Sequence, residues 1–447
     1  MKRLIFLSTL IIGCASLFAQ TIGLEEVRTL ALANSRSLTK YNLAITNAIL
    51  DEKSRVFSNL PSLSLGANGS MEIWNKNGPV ENPLNTIDAG VSIGVSHTQK
   101  IFDGGKAGIQ KAINEIASES ARKDALAEYF SVLDQADNAY YAVLEAMATL
   151  EAEESSLQTA LTSLAIAEVR LASGMINQGD YLKAMADKEA RENSRNQAKR
   201  NLTLNTMKLK AITGLADLPE LQQIDFSGYE GLISRLGNIS DKEADSLYNE
   251  LWKAIASTNP SLSKSALANQ RAENNLSMAQ RAYLPSLNAQ LSAGLNYSLK
   301  NGMELSGGKL SLSLSIPVDY WVIANNVDKS KNARDLAALD YIGAEITLGT
   351  DLQDALFKAL TNAGSVIHTG LSLAYAERHS DYVMERYRLS QSSIGDLNEA
   401  STLLINSRNN LTKARYGFLQ SLSKLRSLGA FQDEEKLIQL LMGNSAS

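Results

Sequence analysis

The 447-residue chain has few of the residues that would mark a disulfide-linked, metal-binding or catalytic protein. It contains one cysteine, three histidines and seven prolines. A disulfide framework needs paired cysteines, and a zinc or nucleophilic site needs histidine or cysteine at a recognisable spacing. The formal charge of −5 leaves no basic patch for nucleic acid. We therefore expect no enzyme activity, no catalytic residue, no metal, no cofactor and no nucleic-acid partner.

Long apolar runs are also missing, because no stretch of 18 apolar residues occurs beyond the first twenty positions. Those twenty, MKRLIFLSTLIIGCASLFAQ, have a basic start, an apolar middle and small residues near Ala19. This pattern predicts a signal peptide over 1–19 and an exported protein. The Ile-Ile-Gly-Cys sequence ending at Cys14 also fits a lipoprotein signal, in which Cys14 becomes the lipidated first residue. The sequence leaves both fates open.

What the chain does contain is a duplication. The stretches RVFSNLPSLSLGANGS and QRAYLPSLNAQLSAGLNYS both leave a helical pattern, cross Leu-Pro-Ser-Leu and begin to alternate apolar with polar residues. Their prolines, Pro61 and Pro285, lie 224 residues apart, and the offset later falls to 216, where Asp103 aligns with Asp319. We predict two repeats of one design, each running helix, strand, strand, very long helix, returning helix.

The predicted elements can be bounded from these patterns. The first repeat covers 20–240, with strands at about 61–73 and 87–101, a helical hairpin at about 105–212 and a connection at 213–240. The second covers 241–430, with strands at about 285–299 and 308–319 and a helical hairpin at about 326–428, followed by a tail over 431–447. We expect KNGMELSGGK to be the loop between the last two strands.

The predicted long helices exceed what a globular core requires. At ~1.5 Å per residue they reach about 100 Å. Apolar residues recur at three- and four-residue spacing from Phe130 to Met147 and again from Leu150 to Leu171, which favours coiled-coil packing.

Each predicted strand is about ten residues long and has one wholly apolar face, which is typical of a tilted membrane strand. Four strands cannot close a membrane barrel, because the smallest barrels need about eight, and open edges in lipid leave backbone groups unpaired. Three copies would supply twelve strands. The pattern thus predicts a homotrimer in a lipid bilayer, with Pro61 and Pro285 at the helix-to-strand transitions. Hairpins of a soluble sandwich are the disfavoured alternative.

The order and duplication of these segments resemble the TolC-type outer membrane efflux proteins. The resemblance rests on TIGLEEVRTLALANSRSL, the two LPSL transitions, KIFDGGKAG and RLASGMINQGDYLKA. It implies an α+β membrane protein, a trimeric 12-strand transmembrane β-barrel on a long periplasmic α-helical coiled-coil barrel, in the outer membrane. It implies a passive exit duct for tripartite efflux or type I secretion. The implied partners are a periplasmic adaptor and an inner-membrane transporter of the RND, ABC or MFS type.

In that family the turns between the long and returning helices form a closed periplasmic entrance lined by acidic side chains. The matching acidic residues here are Asp180, Asp396 and Glu399, and the other matching turn residues are Gly174, Gly179, Tyr387 and Gly395. Threefold symmetry would gather the carboxylates into rings, which favour cations. An alternative role for the two aspartates is N-capping of the returning helices.

The second turn departs from the family pattern. Ser390 stands where a glycine is expected, and no arginine lies between Ser390 and Asp396. These differences put a salt-bridge latch at the entrance in doubt.

A trimeric coiled-coil surface adhesin with a membrane-anchoring barrel is the alternative function. Such proteins concentrate their strands in one C-terminal block. Here the two predicted hairpins lie inside duplicated halves, which favours the duct.

Overall fold

A computed structural model describes residues 21–58, 62–72, 88–299 and 302–443. The predicted signal peptide with Cys14 and the first helix-to-strand transition at Pro61 lie outside the described residues. The described chain divides into two compact units. The helical unit holds 21–36, 129–255 and 350–443, and the sheet unit holds 37–128 and 256–349. Among the helices described, none is both long and apolar enough to cross a membrane.

The elements follow one another as helix, strand, strand, long helix and returning helix in both halves. The helices are α1 (Leu24–Asn34), α2 (Arg36–Ser58), α3 (Lys106–Ala172), α4 (Gln178–Thr213), α5 (Glu230–Gly237), α6 (Asp241–Thr258), α7 (Pro260–Gln280), α8 (Tyr320–Arg388), α9 (Ile394–Gly429) and α10 (Glu434–Leu441). The strands are β1 (Ser62–Glu72), β2 (Asp88–Phe102), β3 (Ser286–Ser298) and β4 (Gly302–Ser315).

The entry helices of the two halves are interrupted at positions 224 residues apart. Ser35 separates α1 from α2, and Asn259 separates α6 from α7. Asn259 caps α7 by accepting a hydrogen bond from the Leu262 N–H at 2.8 Å. Pro260 occupies the first position of α7, where the missing N–H has no helical acceptor and costs nothing. The local sequence is therefore sufficient to explain the interruption in the second half.

The sheet unit contains a four-stranded antiparallel sheet in the order β1-β2-β3-β4. The register pairs Leu65 with Val95 and Ile93 with Leu295, so that the apolar residues of all strands share one face. This face is open, because Leu65 and Leu312 keep 76% and 66% of their surface exposed. The opposite face carries serine, asparagine and glycine.

The predicted start of β4 at about 308 is wrong, because the strand begins at Gly302 and includes most of the expected loop. Its register shifts by one residue where Gly307 and Gly308 form a bulge between the pairs Ser292–Lys309 and Gly294–Ser306. An extra residue reverses the alternation of side chains beyond it. The bulge therefore keeps Leu305 on the apolar face, and the same reversal disguised the strand in the sequence.

The end of β4 and the start of α8 also differ from the predicted 319 and 326. The strand ends at Ser315 and the helix begins at Tyr320. Pro317 has no N–H to continue the sheet. The Asp319 carbonyl accepts the Val322 N–H at 3.0 Å, which starts the helix earlier than expected.

The apolar ladder predicted along α3 holds only in its first part. Phe130, Leu133 and Leu144 are buried, but Leu161 is 39% exposed. Beyond Met147 the buried seam consists of small residues instead, at Ala152, Ser156, Ala160, Ser163 and Ala167. Small side chains let helix backbones approach closely, so a seam of alanine and serine replaces the expected leucines.

The two turns between long and returning helices share one backbone design. Met175 N–H bonds to the Arg170 carbonyl at 2.8 Å, and Gln391 N–H bonds to the Arg386 carbonyl at 2.7 Å. This six-to-one bond requires a left-handed residue just before the donor. Gly174 meets the requirement with φ of 68°, and Ser390 does so with φ of 60°. The serine that departs from the family pattern thus adopts the conformation that favours glycine.

Deletion of Gly307 together with Gly308 is expected to impair folding of β4, because the loss of both residues turns Glu304 onto the apolar face while Leu305 turns onto the polar face. The measurement is the fraction of protein that refolds into detergent micelles or lipid vesicles. Gly308→Ala is the matched control, since it keeps the residue count and a Cβ there meets nothing within 4 Å. Equal refolding of the deletion and the control would contradict this role of the bulge.

Ser390→Gly is expected to stabilise the helical unit by about 0.5–1 kcal/mol, because it relieves the left-handed strain of a residue with a Cβ. Gly174→Ser should destabilise it by a similar amount, and since the site around Gly174 is open, the effect would arise in the backbone. Chemical denaturation followed by circular dichroism measures both. A loss of stability in Ser390→Gly would refute the argument.

Candidate functional site

The acidic residues predicted at the turns are held by reciprocal hydrogen bonds at the helix starts. Asn177 Oδ1 accepts the Asp180 N–H at 2.9 Å, and the side-chain amide of Asn177 donates from Nδ2 to the Asp180 carboxylate at 2.9 Å. In the second turn, Ser393 Oγ accepts the Asp396 N–H at 3.1 Å, and the Asp396 carboxylate accepts the Ser393 N–H at 2.9 Å. The N-caps are therefore Asn177 and Ser393, and the prediction that the aspartates themselves are N-caps is wrong.

Asp396 lies at the third position of α9, where local hydrogen bonds favour its charged form. Asp396 also accepts a hydrogen bond from Ser392 Oγ at 3.0 Å. The bonds from the Ser393 N–H, the Ser393 hydroxyl and the Ser392 hydroxyl lower the pKa of Asp396 below its ordinary value. A carboxyl group with a lowered pKa loses its stabilising bonds only as pH falls through that lowered pKa. Asp396 is thus fully ionised at neutral pH.

The remaining predicted turn residues lie around the same helix starts. Gly179 and Gly395 occupy the second positions of α4 and α9. Glu399 is exposed one turn beyond Asp396, between the buried Leu397 and Ala400. Asp180 has a nearby cation in Lys183, at 3.5 Å. The exposed carboxylates of α9 therefore point away from the packed side of that helix.

A small apolar cluster draws the ends of all four long and returning helices together. It contains Ala167 of α3, Ala184 of α4, Val383 and Tyr387 of α8, and Ile394, Leu397 and Ala400 of α9. Tyr387, predicted only as a turn residue, is 2% exposed and lies at the centre of this packing. The two turns are therefore held beside each other by burial of apolar surface.

Arg170 provides the polar contact between the turns, and sequence reasoning did not single it out. Its guanidinium lies over the Tyr387 ring, 4.5 Å from the centroid. It also donates to the carbonyls of Tyr387 and, at 3.3 Å, Arg388. The equivalent Arg386 instead donates to Gln391 in its own turn, at 3.1 Å. The arginine of the first repeat thus connects the two turns, whereas that of the second does not. No pattern of apolar and polar residues in the sequence distinguishes the two arginines.

A second unpredicted group is a buried ion-pair network in the helical unit. Arg28 of α1 donates twice to Asp137 of α3, at 2.6 and 2.8 Å. Ser423 of α9 donates to the same carboxylate at 2.9 Å, and Glu434 of α10 lies 3.5 Å from Arg28. A buried carboxylate needs such partners to offset its desolvation. Asp137 interrupts the apolar ladder of α3, and that interruption was the available signal.

Pro285 marks the described helix-to-strand transition. It lies between a 3-10 turn at Arg281–Tyr283 and the start of β3 at Ser286. Arg281 donates to the Gly104 carbonyl at 3.0 Å, which ties this junction to the end of β2. The junction is thus fixed within the sheet unit.

The polar face of the sheet is the other surface with a chemical character of its own. It forms a concave groove of about 290 Å³ lined by serine, glycine and asparagine together with backbone of the apolar residues between them. Ser64 and Ser96 are hydrogen-bonded across β1 and β2 at 2.6 Å. Gly66, Gly94 and Gly294 pair in a row across three strands, so this face has low relief. An apolar convex face and a small, polar concave face are what a lipid-embedded wall around water requires.

Comparison with known proteins agrees with this arrangement. The family model described as "Outer membrane efflux protein" matches residues 27–215 and 251–430. Outer membrane protein TolC of Escherichia coli (strain K12) is 22% identical over 405 residues, which cover 85% of this chain and 76% of TolC.

Solved structures share the fold. The CmeC outer membrane channel of Campylobacter jejuni has a TM-score of 0.75 at 20% identity and covers 94% of this chain and 89% of its own. The outer membrane protein VceC of Vibrio cholerae has a TM-score of 0.73 at 16% identity and covers 91% of this chain and 96% of its own.

These matches confirm the predicted channel fold, a mostly helical chain with a small antiparallel sheet, and do not favour the adhesin. The family consists of transport ducts rather than enzymes. With both halves of the sequence matched and the fold shared along nearly its whole length, the chain belongs to the outer membrane efflux protein family and is an efflux channel of the outer membrane.

Proposed function

We propose that the chain works as a homotrimeric exit duct, which conducts cargo passively from an inner-membrane transporter through the outer membrane. A periplasmic adaptor would join the duct to a transporter of the RND, ABC or MFS type. Residues 1–19 would direct export, and 213–240 and 431–447 would form a collar around the helices. Family membership supports the class of function, and the open edges of the sheet carry the proposal of a trimer.

The sheet cannot face lipid as a single copy. Within 62–72 and 302–315, β1 and β4 pair only with their inner neighbours, so their outer backbone groups have no strand partner. Each unpaired N–H or C=O in hydrocarbon costs several kcal/mol. Two copies would give eight strands, a barrel whose interior is filled by side chains. Three copies give twelve strands and leave a lumen for cargo.

Two helices of the sheet unit have a second apolar face that a trimer would cover. Leu43 and Leu50 of α2 are more than half exposed, on roughly the opposite side of the helix from the half-buried Ile45 and Ile49. A helix in a wall of side-by-side helices needs two such faces, whereas a helix packed on one side needs only one.

Helix α8 also has a second apolar face that is exposed. Leu336, Leu339 and Ile346 are more than half exposed, on roughly the opposite side from Ile323 and Val327, which pack against Leu276 of α7. Chain order supports a common interface, because α2 leads into β1 and β4 leads into α8. The open helix faces therefore belong to the same segments as the open strand edges. When one face of each copy contacts a different face of the next copy, a rotation that closes produces a ring.

At the periplasmic end, threefold symmetry would bring Asp396, Glu399 and Asp180 into acidic rings. Asp396 and Glu399 are three residues apart and share a face of α9. Opening of the entrance by the adaptor would separate the turns that Arg170 and Tyr387 now join. Acidic rings at this constriction would favour cations.

The trimer is tested by placing a charge on each proposed helix interface. Leu43→Asp and Leu339→Asp should reduce the trimeric fraction of detergent-purified protein at least severalfold, as measured by light scattering after size exclusion. Ala333→Asp is the control, because Ala333 is exposed on α8 but lies outside both apolar faces. A wild-type protein that is monomeric, or interface variants as trimeric as the control, would overturn the proposal.

The acidic entrance is tested with Asp396→Asn combined with Glu399→Gln. Asparagine keeps an oxygen that can accept the Ser393 N–H, so the turn is preserved while the charge is removed. The ratio of cation to anion permeability in planar bilayers should fall, and block by divalent cations should weaken. Asp217→Asn with Glu220→Gln is the control, being an exposed acidic pair with the same spacing away from the turns. Unchanged selectivity would argue against the rings.

A further inference from the structure

One row of paired residues across the polar face of the sheet contains a single charged side chain, that of Lys309. The register joins Ser64 of β1 to Ser96 of β2, Ser96 to Ser292 of β3, and Ser292 to Lys309 of β4. The row therefore crosses the whole sheet and consists of three serines and one lysine. Lys309 is exposed, and within the described residues it takes part in no ion pair.

Rows on either side of this one are free of charge. One contains Gly66, Gly94, Gly294 and Ser306, and the other contains Ser62, Thr98, Gln290 and Ser311. The nearest charged positions on the same face are Glu304, opposite Asn296, and Lys100, opposite Asn288. Each lies four residues along β3 from Ser292, or about 13 Å at the rise of a strand. Lys309 therefore dominates the potential at its own level.

The strand register fixes which face Lys309 occupies. Lys309 pairs with Ser292 on the polar face, immediately after the bulge at Gly307 and Gly308. A lysine on the lipid-facing side of a barrel costs about 2–4 kcal/mol at the bilayer midplane, whereas lumen positions tolerate charge and tune selectivity. The polar face is also the concave one, so the ammonium group faces the space that a closed barrel would enclose.

We propose that Lys309 forms a basic ring halfway along the barrel lumen and makes this level of the duct prefer anions. The proposal rests on the homotrimeric barrel proposed above, in which three ammonium groups would meet at one level. Rings of lysine or arginine favour anions in pores. The duct would then contain two charged rings of opposite sign, acidic at the turns and basic in the barrel.

The test reads the local potential directly, so that a closed entrance cannot mask it. Ser292→Cys places a thiol opposite Lys309, and its reaction rates with an anionic and a cationic methanethiosulfonate reagent are compared in detergent-purified trimers. The same trimers without Ser292→Cys provide the blank for Cys14. In 0.1 M salt, Lys309→Gln should lower the anionic-to-cationic rate ratio about fivefold. Lys309→Arg should preserve the ratio.

Lys100→Gln is the matched control, since it removes the same charge more than one Debye length, about 10 Å, from the thiol. It should change the ratio less than twofold. A ratio that is unchanged by Lys309→Gln, or a thiol that reacts with neither reagent, overturns the basic ring while leaving the trimer intact. A chain that forms no trimer overturns both this inference and the proposed duct.

Discussion

The backbone groups along the outer edges of β1 and β4 are the constraint on which the proposed assembly depends. In water these groups would be hydrated at little cost, but in lipid they must be paired within protein. The described residues contain four strands, and all four belong to this sheet. The second apolar faces of α2 and α8 are consistent with the same demand, because helices that continue such a wall must also contact a neighbour on each side.

Membrane strands impose a second constraint, because apolar and polar side chains have to alternate along the whole length of each strand. A single extra residue inverts every side chain beyond it. In β4 the glycine bulge restores the phase, so that Leu305 lies opposite Leu295 on the apolar face and Glu304 lies opposite Asn296 on the polar one. The bulge thus keeps the apolar side chains of β4 on the lipid-facing side and its polar side chains on the lumen side. Lys309, directly after the bulge, is the charged residue of its row.

At the second helical turn, the hydrogen bonds between Ser393 and Asp396 both begin a helix and stabilise a charge. The hydrogen bonds that begin α9 from Ser393 also lower the pKa of Asp396. A residue held in this way stays charged at neutral pH, and in the proposed trimer it would contribute that charge to the entrance. Packing of Tyr387 beneath Arg170 keeps the turns adjacent without a salt bridge between them. The absence of an arginine after Ser390 therefore does not leave the turns unconnected.

Much of this protein follows from periodicity in its sequence. Period-two alternation predicts β1 to β3, the proline-free runs predict α3 and α8, and the duplicated order leads to the family and to the outer membrane. Periodicity fails where a single residue shifts the phase, as at Gly307–Gly308, and where small residues form the buried seam of α3. Tertiary structure alone decided that Arg170 lies over Tyr387 while its counterpart Arg386 does not, and that Asp137 lies buried against Arg28. These pairs join residues more than a hundred positions apart, and such contacts depend on how the helices pack rather than on any local preference of the chain.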